Sequence, residues 1–151
     1  MSYQHILLPT DGSPLSERAA RAGIDLASAL GARVTALYVA PAPTPVVFEG
    51  LMPVGLMTSE EHAAAIERAA ARFLGVIQKA AQDAGVPFEG LSVTSEYPAE
   101  TIVDTAVKRH CDLIFMASHG RKGVTALLLG SETAKVLTHA RTPVLVHRSA
   151  H

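Results

Sequence analysis

The chain has 151 residues, of which 48% are hydrophobic and 18% charged, and its formal net charge is −1. We predict a single domain over residues 1–151, since this length suits one domain with a sizeable core. The balanced charge excludes a broad basic surface, so no nucleic-acid partner is expected. No apolar run approaches the roughly 20 residues of a membrane span, so no membrane partner is expected. The single cysteine, Cys111, can form no intrachain disulfide, which favours a cytoplasmic protein. We interpret it as an ordinary buried or half-buried thiol and not as a nucleophile.

Strand and helix patterns alternate from the beginning of the chain. The apolar run His5–Thr10 predicts a first strand rather than a signal peptide, because no basic segment or cleavage site accompanies it. Ser13 and Pro14 then predict the start of a helix, which Gly31 ends. Arg33–Val39 is the second predicted strand.

Residues 40–57 are rich in proline and glycine, which predicts a long loop without regular structure. The loop is also apolar, and two interpretations stay open. It is either a lid or contact surface, or a segment folded back onto its own core. Its apolar residues are Val46, Val47, Phe48, Leu51, Met52, Val54, Leu56 and Met57.

The second half of the chain continues the alternation. Thr58 and Glu61 form a capping-box pattern that predicts a long helix, and Gly85 ends it. The remaining predicted elements are a strand at Leu91–Tyr97, a helix from Pro98 to about Arg109, a strand at Leu113–Met116, a helix at Ser131–His139 and a strand at Pro143–His147.

This order of elements predicts an α/β fold with a parallel sheet and helices on both faces. We predict a single doubly wound, five-stranded, Rossmann-like sheet of strand order 3-2-1-4-5. In such sheets ligands bind beyond the carboxyl ends of the strands, where the strand order reverses. Here that point lies between the first strand, which ends at Thr10-Asp11, and the fourth. Both segments should therefore line one crevice.

The loop after the fourth strand has the pattern of a phosphate site. Ala117-Ser118-His119-Gly120 is followed by nine residues and then by Gly130-Ser131-Glu132-Thr133, where the last helix is expected to start. Glycines let backbone N–H groups approach an anion, and a helix start adds unpaired donors with a partial positive charge. The pattern predicts nucleotide binding. The structural alternatives are simple turns at the two glycines and N-capping of the helix by Ser131.

Other functional classes lack their motifs. No serine lies in a Gly-x-Ser-x-Gly pattern, no Gly-x4-Gly-Lys-Ser/Thr is present, and the seven histidines show no zinc-site spacing. A receiver domain would need an acidic cluster after the first strand, whereas Asp11 stands alone and also suits a simple turn. No residue is therefore assigned a catalytic role, and His119 is interpreted as a hydrogen-bonding or packing residue.

Three segments together resemble the universal stress protein family, UspA-like and of the ATP-binding type. They are the opening segment Ile6–Ser13, the Gly-x-x-Gly-x9-Gly-Ser/Thr signature of the loop, and the closing strand Pro143-Val144-Leu145-Val146. The resemblance covers essentially the whole chain. It departs at one position, because Ala117 stands where the signature has its first glycine. A methyl group at position 117 causes little backbone strain if φ is negative. It weakens nucleotide binding if the Cα lies close to the ligand.

The resemblance implies a fold of the adenine nucleotide alpha hydrolase-like type and the binding of ATP or another adenine nucleotide. Asp11 would lie near the ribose or near a Mg²⁺ ion held through the nucleotide phosphates. Val39 would offer backbone atoms to the adenine, and Met116 and Ala117 would line the ribose side.

The phosphates would be held by Gly120 through backbone N–H groups, and by Gly130 and Ser131 from the helix side. Arg121 and Lys122 could reach the phosphates, although basic loop residues are commonly just solvated. The full predicted binding set is Pro9, Thr10, Asp11, Val39, Met116, Ala117, His119, Gly120, Arg121, Gly130, Ser131, Glu132 and Thr133.

The function implied is that of an ATP-binding regulatory protein of the stress response, with an unknown protein partner. Slow nucleotide hydrolysis is the most that is expected, because no general base is evident. The apolar strand Pro143–His147 is predicted at a sheet edge, which favours a homodimer paired through this strand. The alternative is a dimeric interaction module of the same fold that has lost nucleotide binding. The alanine at position 117, where the signature has a glycine, is the reason for this alternative. A nucleotide-cleaving enzyme is a third hypothesis.

Overall fold

Strands and helices alternate along the chain as the sequence predicts. The computed structural model describes residues 2–42, 47–49, 52–54, 58–120 and 129–148. The elements are β1 (His5–Thr10), α1 (Pro14–Leu30), β2 (Arg33–Ala40), β3 (Val47–Glu49), β4 (Met52–Val54), α2 (Ser59–Ala84), β5 (Phe88–Thr94), α3 (Pro98–Lys108), β6 (Leu113–Ala117), α4 (Ser131–His139) and β7 (Val144–His147).

One parallel sheet organises the fold, with the strands in the order β5-β2-β1-β6-β7. Without the short β3 and β4, this is the predicted order 3-2-1-4-5, which is confirmed. Side chains alternate between the two faces of the sheet. Ile6 and Leu8 pack in a core cluster with α1 and α2, while Leu7 packs in a second cluster with α3 and α4. Both faces are therefore covered by helices, as predicted.

The helix ends follow local sequence signals. Ser13 caps α1 by accepting the N–H of Ser16, and Thr58 and Glu61 form the predicted capping box of α2. Both helices end at a glycine in the left-handed conformation, with φ of 67° at Gly31 and 68° at Gly85.

The prediction of a loop without regular structure over residues 40–57 is wrong in part. β3 and β4 form an antiparallel pair, in which Phe48 lies opposite Pro53. A strand of a two-stranded ribbon pairs on one side only, so a proline can be accommodated there. The side chains of residues 43–57 lie outside the described part of the chain, so both interpretations of this segment stay predictions.

The third long strand lies at Phe88–Thr94, and the prediction of Leu91–Tyr97 is displaced by three residues. Pairing with β2 sets these limits, since β5 runs alongside it from Val34↔Phe88 to Ala40↔Thr94. The other predicted limits differ by one residue at most: β2 ends at Ala40, β6 ends at Ala117, β7 begins at Val144 and α3 ends at Lys108.

Candidate functional site

The sheet opens between the carboxyl ends of β1 and β6. These two strands pair only at Ile6↔Leu113 and Leu7↔Ile114, whereas β1 pairs with β2, and β6 with β7, up to their last residues. The strand order reverses here, and the helices that follow the two strands pack on opposite faces of the sheet. Strands that diverge at a switch point leave a crevice, which is where ligands bind in folds of this type.

Asp11 and Gly120 face each other across this crevice. A Cβ added at Gly120 would overlap Oδ2 of Asp11, so the carboxylate occupies the space that the missing side chain leaves. The other oxygen, Oδ1, accepts the N–H of Ser13 at 2.9 Å. Asp11 therefore closes a turn with one oxygen and faces the glycine loop with the other.

The turn between β1 and α1 is held by buried hydroxyl groups. Oγ1 of Thr10 lies 3.0 Å from Oγ of Ser16 and accepts the N–H of Gly12 at 3.1 Å. Gly12 has a φ of 82°, and a Cβ there would overlap the ring of Phe73 on α2. Phe73 lies within the long helix that is predicted after Thr58, and no sequence motif indicates this contact. The contact of Phe73 with this turn depends on how α2 lies on the sheet.

The loop segment 118–120 packs tightly against the start of α4. A Cβ added at Gly130 would lie 2.8 Å from Cβ of His119, and Gly130 donates its N–H to the carbonyl of Ser118 at 2.8 Å. The N-cap of α4 is Gly130, without a side-chain bond, so the expectation that Ser131 caps this helix is wrong. The close contact with His119 leaves no room for a side chain at the capping position.

This packing changes which amides can meet an anion. The N–H of Gly130 is already paired, but within the described part of the chain the N–H groups of Gly120 and Ser131 have no acceptor. The first N–H groups of a helix lack intrahelical partners, and they favour negative charge. Among the described residues, Gly120 and Ser131 are thus available donors on this side of the crevice, together with Glu132 and Thr133 in the first turn of α4.

Several predicted residues contribute through packing. The methyl group of Ala117 is buried in the cluster beneath α1 and α2. Its φ is not positive, because His110 is the one described non-glycine residue with a positive φ. Ala117 therefore needs no glycine for its conformation. Met116 and Val39 pack in the cluster on the other face, and Pro9 lies in the buried β1.

The side chains of Glu132 and Thr133 hold α4 to its neighbours. Glu132 accepts the N–H of Ala99 at 3.0 Å, and so satisfies a donor at the start of α3. Thr133 donates its hydroxyl to the carbonyl of Ala117 at 3.0 Å. Their side chains are engaged within the fold, which leaves their backbone for a ligand. The predicted Arg121, like Lys122, lies outside the described residues.

A cleft of about 370 Å³ adjoins the Asp11–Gly120 contact. This volume falls within the range of about 300–1,000 Å³ that small-molecule sites have. His119, which lines the cleft, has its Nδ1 atom 3.1 Å from Oγ of Ser118. Among the described residues, the cleft is lined by Gly12, Ser13, Pro14, Leu15, Arg18, His119 and Gly120. Arg18 is not among the residues predicted from the sequence to bind a ligand. A basic side chain one turn inside a helix that follows the first strand is the signal that could have indicated it.

Two groups with shifted pKa lie at the opposite end of the sheet. Burial, together with the positive charge of Arg33, lowers the pKa of His5 at the start of β1. Burial raises the pKa of the Cys111 thiol to about 11, with the neighbouring Asp112 adding to the shift. The prediction of a buried thiol at Cys111 is confirmed.

Neither a protein-only metal site nor a membrane span is found among the described residues. In the described part of the chain, no group of three or more His, Cys, Asp and Glu side chains lies close enough to hold a metal ion. No helix within those residues combines the length and the apolar character that crossing a membrane requires.

The fold and the cleft define a doubly wound α/β protein with a candidate ligand site at its switch point. A model of the universal stress protein family matches residues 2–148. A universal stress protein of Methanocaldococcus jannaschii is 34% identical over 144 residues, which are 95% of this chain and 81% of that protein. One of Thermus aquaticus is 35% identical over 146 residues, 97% of this chain and 99% of that protein. The chain belongs to the universal stress protein family.

Solved structures of similar fold include two nucleotide complexes. A universal stress protein in complex with cAMP superposes with a TM-score of 0.68 at 24% identity, covering 99% of this chain and 100% of that one. The universal stress protein of Archaeoglobus fulgidus in complex with dAMP has a TM-score of 0.60 at 23% identity, with 97% and 98% covered. At these identities the likeness establishes the shared fold.

Proposed function

We propose that this protein binds ATP, or another adenine nucleotide, in the crevice between β1 and β6, and acts as a regulator in the stress response. The observation that carries the proposal is the contact between Asp11 and Gly120. It joins an acidic strand end and a glycine loop that lie more than a hundred residues apart in the sequence. Proteins of the same fold in complex with cAMP and dAMP support the adenine nucleotide class.

Phosphate binding would use the N–H groups of Gly120 and Ser131, because neither has an acceptor in the described part of the chain. Gly130 would act by its small size, since its own N–H is donated to Ser118. The buried methyl group of Ala117 points into the core beneath α1 and α2. This supports the view that the departure from the glycine signature is compatible with binding.

A Mg²⁺ ion fits the site only together with a nucleotide. Mg²⁺ is commonly held by one or two carboxylates plus substrate phosphates. Asp11 offers Oδ2 toward Gly120, and no cluster of three protein ligands is found among the described residues. In the proposed complex, Asp11 would hold the ion and the phosphates would supply the other ligands. The ion would neutralise phosphate charge next to the carboxylate.

A regulatory role is favoured over efficient catalysis. One oxygen of Asp11 is already engaged with the Ser13 N–H, and Nδ1 of His119 with the Ser118 hydroxyl. We propose slow hydrolysis at most. Binding would shift the population of loop conformations and so change a surface that a protein partner recognises in the cytoplasm. Phosphate release that disappears in Asp11→Ala would instead support a nucleotide-cleaving enzyme.

The proposed assembly is a homodimer formed through β7. This strand lies at one edge of the sheet, and Leu145 is 39% exposed there. An exposed apolar edge favours pairing with a second copy across a two-fold axis. Sedimentation at micromolar concentration should give a dimer, and Leu145→Lys should give a monomer. Val107→Lys, at an exposed position on α3, is the matched control. A monomeric wild-type protein would contradict the proposed dimer.

Isothermal titration of the wild-type protein with ATP and Mg²⁺ tests the nucleotide proposal directly. Gly120→Ala should lower ATP affinity by about tenfold or more, because the added methyl displaces the Asp11 carboxylate. Gly75→Ala is the control, since a Cβ there meets no atom within 4 Å. If the wild type gives neither heat nor a thermal shift with millimolar ATP, the interaction module without nucleotide is the better description.

A further inference from the structure

We infer that Arg18 binds the outer phosphates of a nucleoside polyphosphate and thereby makes the site prefer ATP and ADP over AMP. The inference rests on the proposed function, because it requires an adenine nucleotide in the crevice. It concerns a residue on α1, outside the strand end and the glycine loop that carry that proposal.

Arg18 has the position that this role requires. It lines the cleft of about 370 Å³ together with the α1 start on one side and His119 and Gly120 on the other. Among the described lining residues, it is the one whose side chain carries a permanent charge. A guanidinium group presents several N–H donors in a plane and binds phosphate oxygens in pairs.

The guanidinium of Arg18 is also available. No acidic side chain within the described residues forms an ion pair with it, whereas Arg21, three residues further along α1, pairs with Glu17 at 3.1 Å. The sequence from residue 121 to residue 128 contains no Asp or Glu that could neutralise it. An exposed arginine at the wall of a cleft, with no carboxylate partner in the described part of the chain, suits an anionic ligand.

Gly120 connects the two parts of the proposed phosphate path. Its N–H has no acceptor among the described residues and lies on the same side of the crevice as that of Ser131. Gly120 also lines the cleft that Arg18 borders. Ser131 itself is not among the lining residues of that cleft. A single phosphate at Gly120 and Ser131 would leave the cleft unfilled, whereas a second or third phosphate would extend past Gly120 toward Arg18. Arg18 would therefore discriminate between nucleotides by their number of phosphates and not by their base.

Isothermal titration with ATP, ADP and AMP in the presence of Mg²⁺ tests this, using the wild type, Arg18→Gln and Arg21→Gln. We expect Arg18→Gln to weaken ATP binding about tenfold, the loss of one or two charge-assisted hydrogen bonds, and to leave AMP binding within about twofold. Arg21→Gln should change neither affinity. The salt dependence of ATP binding should also be smaller in Arg18→Gln.

The possible outcomes distinguish the role of Arg18 from the proposed nucleotide binding on which it rests. If the wild type binds ATP and Arg18→Gln binds it equally well, or loses ATP and AMP affinity to the same extent, the role of Arg18 is overturned and nucleotide binding stands. If the wild type binds none of the three nucleotides, the proposed function falls and this inference falls with it. Thermal unfolding of Arg18→Gln should match the wild type, since the side chain is exposed.

Discussion

At the carboxyl end of the sheet the backbone amides of Gly120 and Ser131 have no acceptor among the described residues, whereas at the amino end the backbone is paired closely. There, Asp112 accepts the N–H of Gln4 at 2.8 Å and that of His5 at 3.0 Å, and donates its own N–H to the carbonyl of His5. Unpaired donors cost stability, but they are what an anionic ligand needs. The contrast is what the proposed function predicts, with an amino end that stabilises the fold and a carboxyl end that leaves donors for a ligand.

Gly12→Ala, at the carboxyl end of the sheet, should cause the largest loss in the free energy of unfolding. An alanine there must adopt a φ of 82°, and its methyl group would overlap the ring of Phe73. The left-handed conformation costs about 1–2 kcal/mol and overpacking about 1–3 kcal/mol, so we expect a loss of roughly 3 kcal/mol in the free energy of unfolding. Urea unfolding measures it. Gly75→Ala, with open space around its Cβ, should be neutral or stabilising. A loss below about 0.5 kcal/mol in Gly12→Ala would contradict the tight packing of Phe73 on this loop.

Asp112→Ala is the corresponding test of the amino end. It removes a carboxylate that accepts two backbone N–H groups, so we expect a loss of about 2 kcal/mol in the free energy of unfolding. Nucleotide affinity should stay within about twofold, since the substitution is at the other end of the sheet. Asp25→Ala, at an exposed position on α1, is the control and should have little effect. If the Asp112 variant unfolds like the control but binds nucleotide poorly, the division of roles between the two ends is wrong.

His110→Gly should sharpen the comparison by stabilising the amino end. His110 lies two residues after α3 with a φ of 55°, a left-handed conformation that a glycine adopts directly after α1 and after α2. Glycine relieves the strain of the left-handed conformation, but it also has greater entropy in the unfolded chain, which offsets part of the gain. We therefore expect the free energy of unfolding to rise by about 0.5–1 kcal/mol. Gly85→Ala is the reverse experiment and should lower it by about 1 kcal/mol, because no atom lies within 4 Å of its Cβ. A destabilised His110→Gly would mean that the imidazole makes a compensating contact.

Much of the fold could be predicted because its signals are local. The capping box at Thr58 and the glycine after α2 mark a helix without reference to the rest of the chain. The limits of β5 could not be predicted in this way, since pairing with β2 decides where that strand begins and ends. The β3–β4 pair was missed for a related reason: proline and glycine interrupt a strand in a sheet centre but not in a two-stranded ribbon.

The candidate site was predictable to the extent that topology determines it. Parallel strands bring their carboxyl ends to one edge, so the meeting of Asp11 with Gly120 follows from the strand order. The contact of Phe73 with Gly12 and the presence of Arg18 in the cleft depend on how α2 and α1 are rotated and inclined on the sheet. The pairing of the Gly130 N–H with Ser118 depends on how the loop closes. Spacing along the sequence carries none of this information.

The smallest expected effect is a pH dependence that originates at the amino end. Burial lowers the pKa of His5 below its usual 6.5, Arg33 adds to the shift, and Asp112 opposes it. One ring nitrogen, Nε2, lies 2.7 Å from the Thr35 hydroxyl, while the buried Nδ1 has no partner among the described residues. Below about pH 6.5 the unfolded chain therefore binds more protons than the native protein, and the free energy of unfolding falls as the pH drops through that window.

His5→Gln removes the titrating group and should reduce that fall. Urea unfolding of both proteins between about pH 7.5 and about pH 5 measures it, and the difference in slope should be less than one proton per molecule. Nucleotide affinity near pH 7.5 should be the same in both proteins, because the imidazole is at the opposite end of the sheet from the cleft. Equal slopes would show that the native environment leaves His5 as easily protonated as the unfolded chain does. An altered nucleotide affinity would show instead that the two ends of the sheet are coupled, and the separation of stability from binding would have to be abandoned.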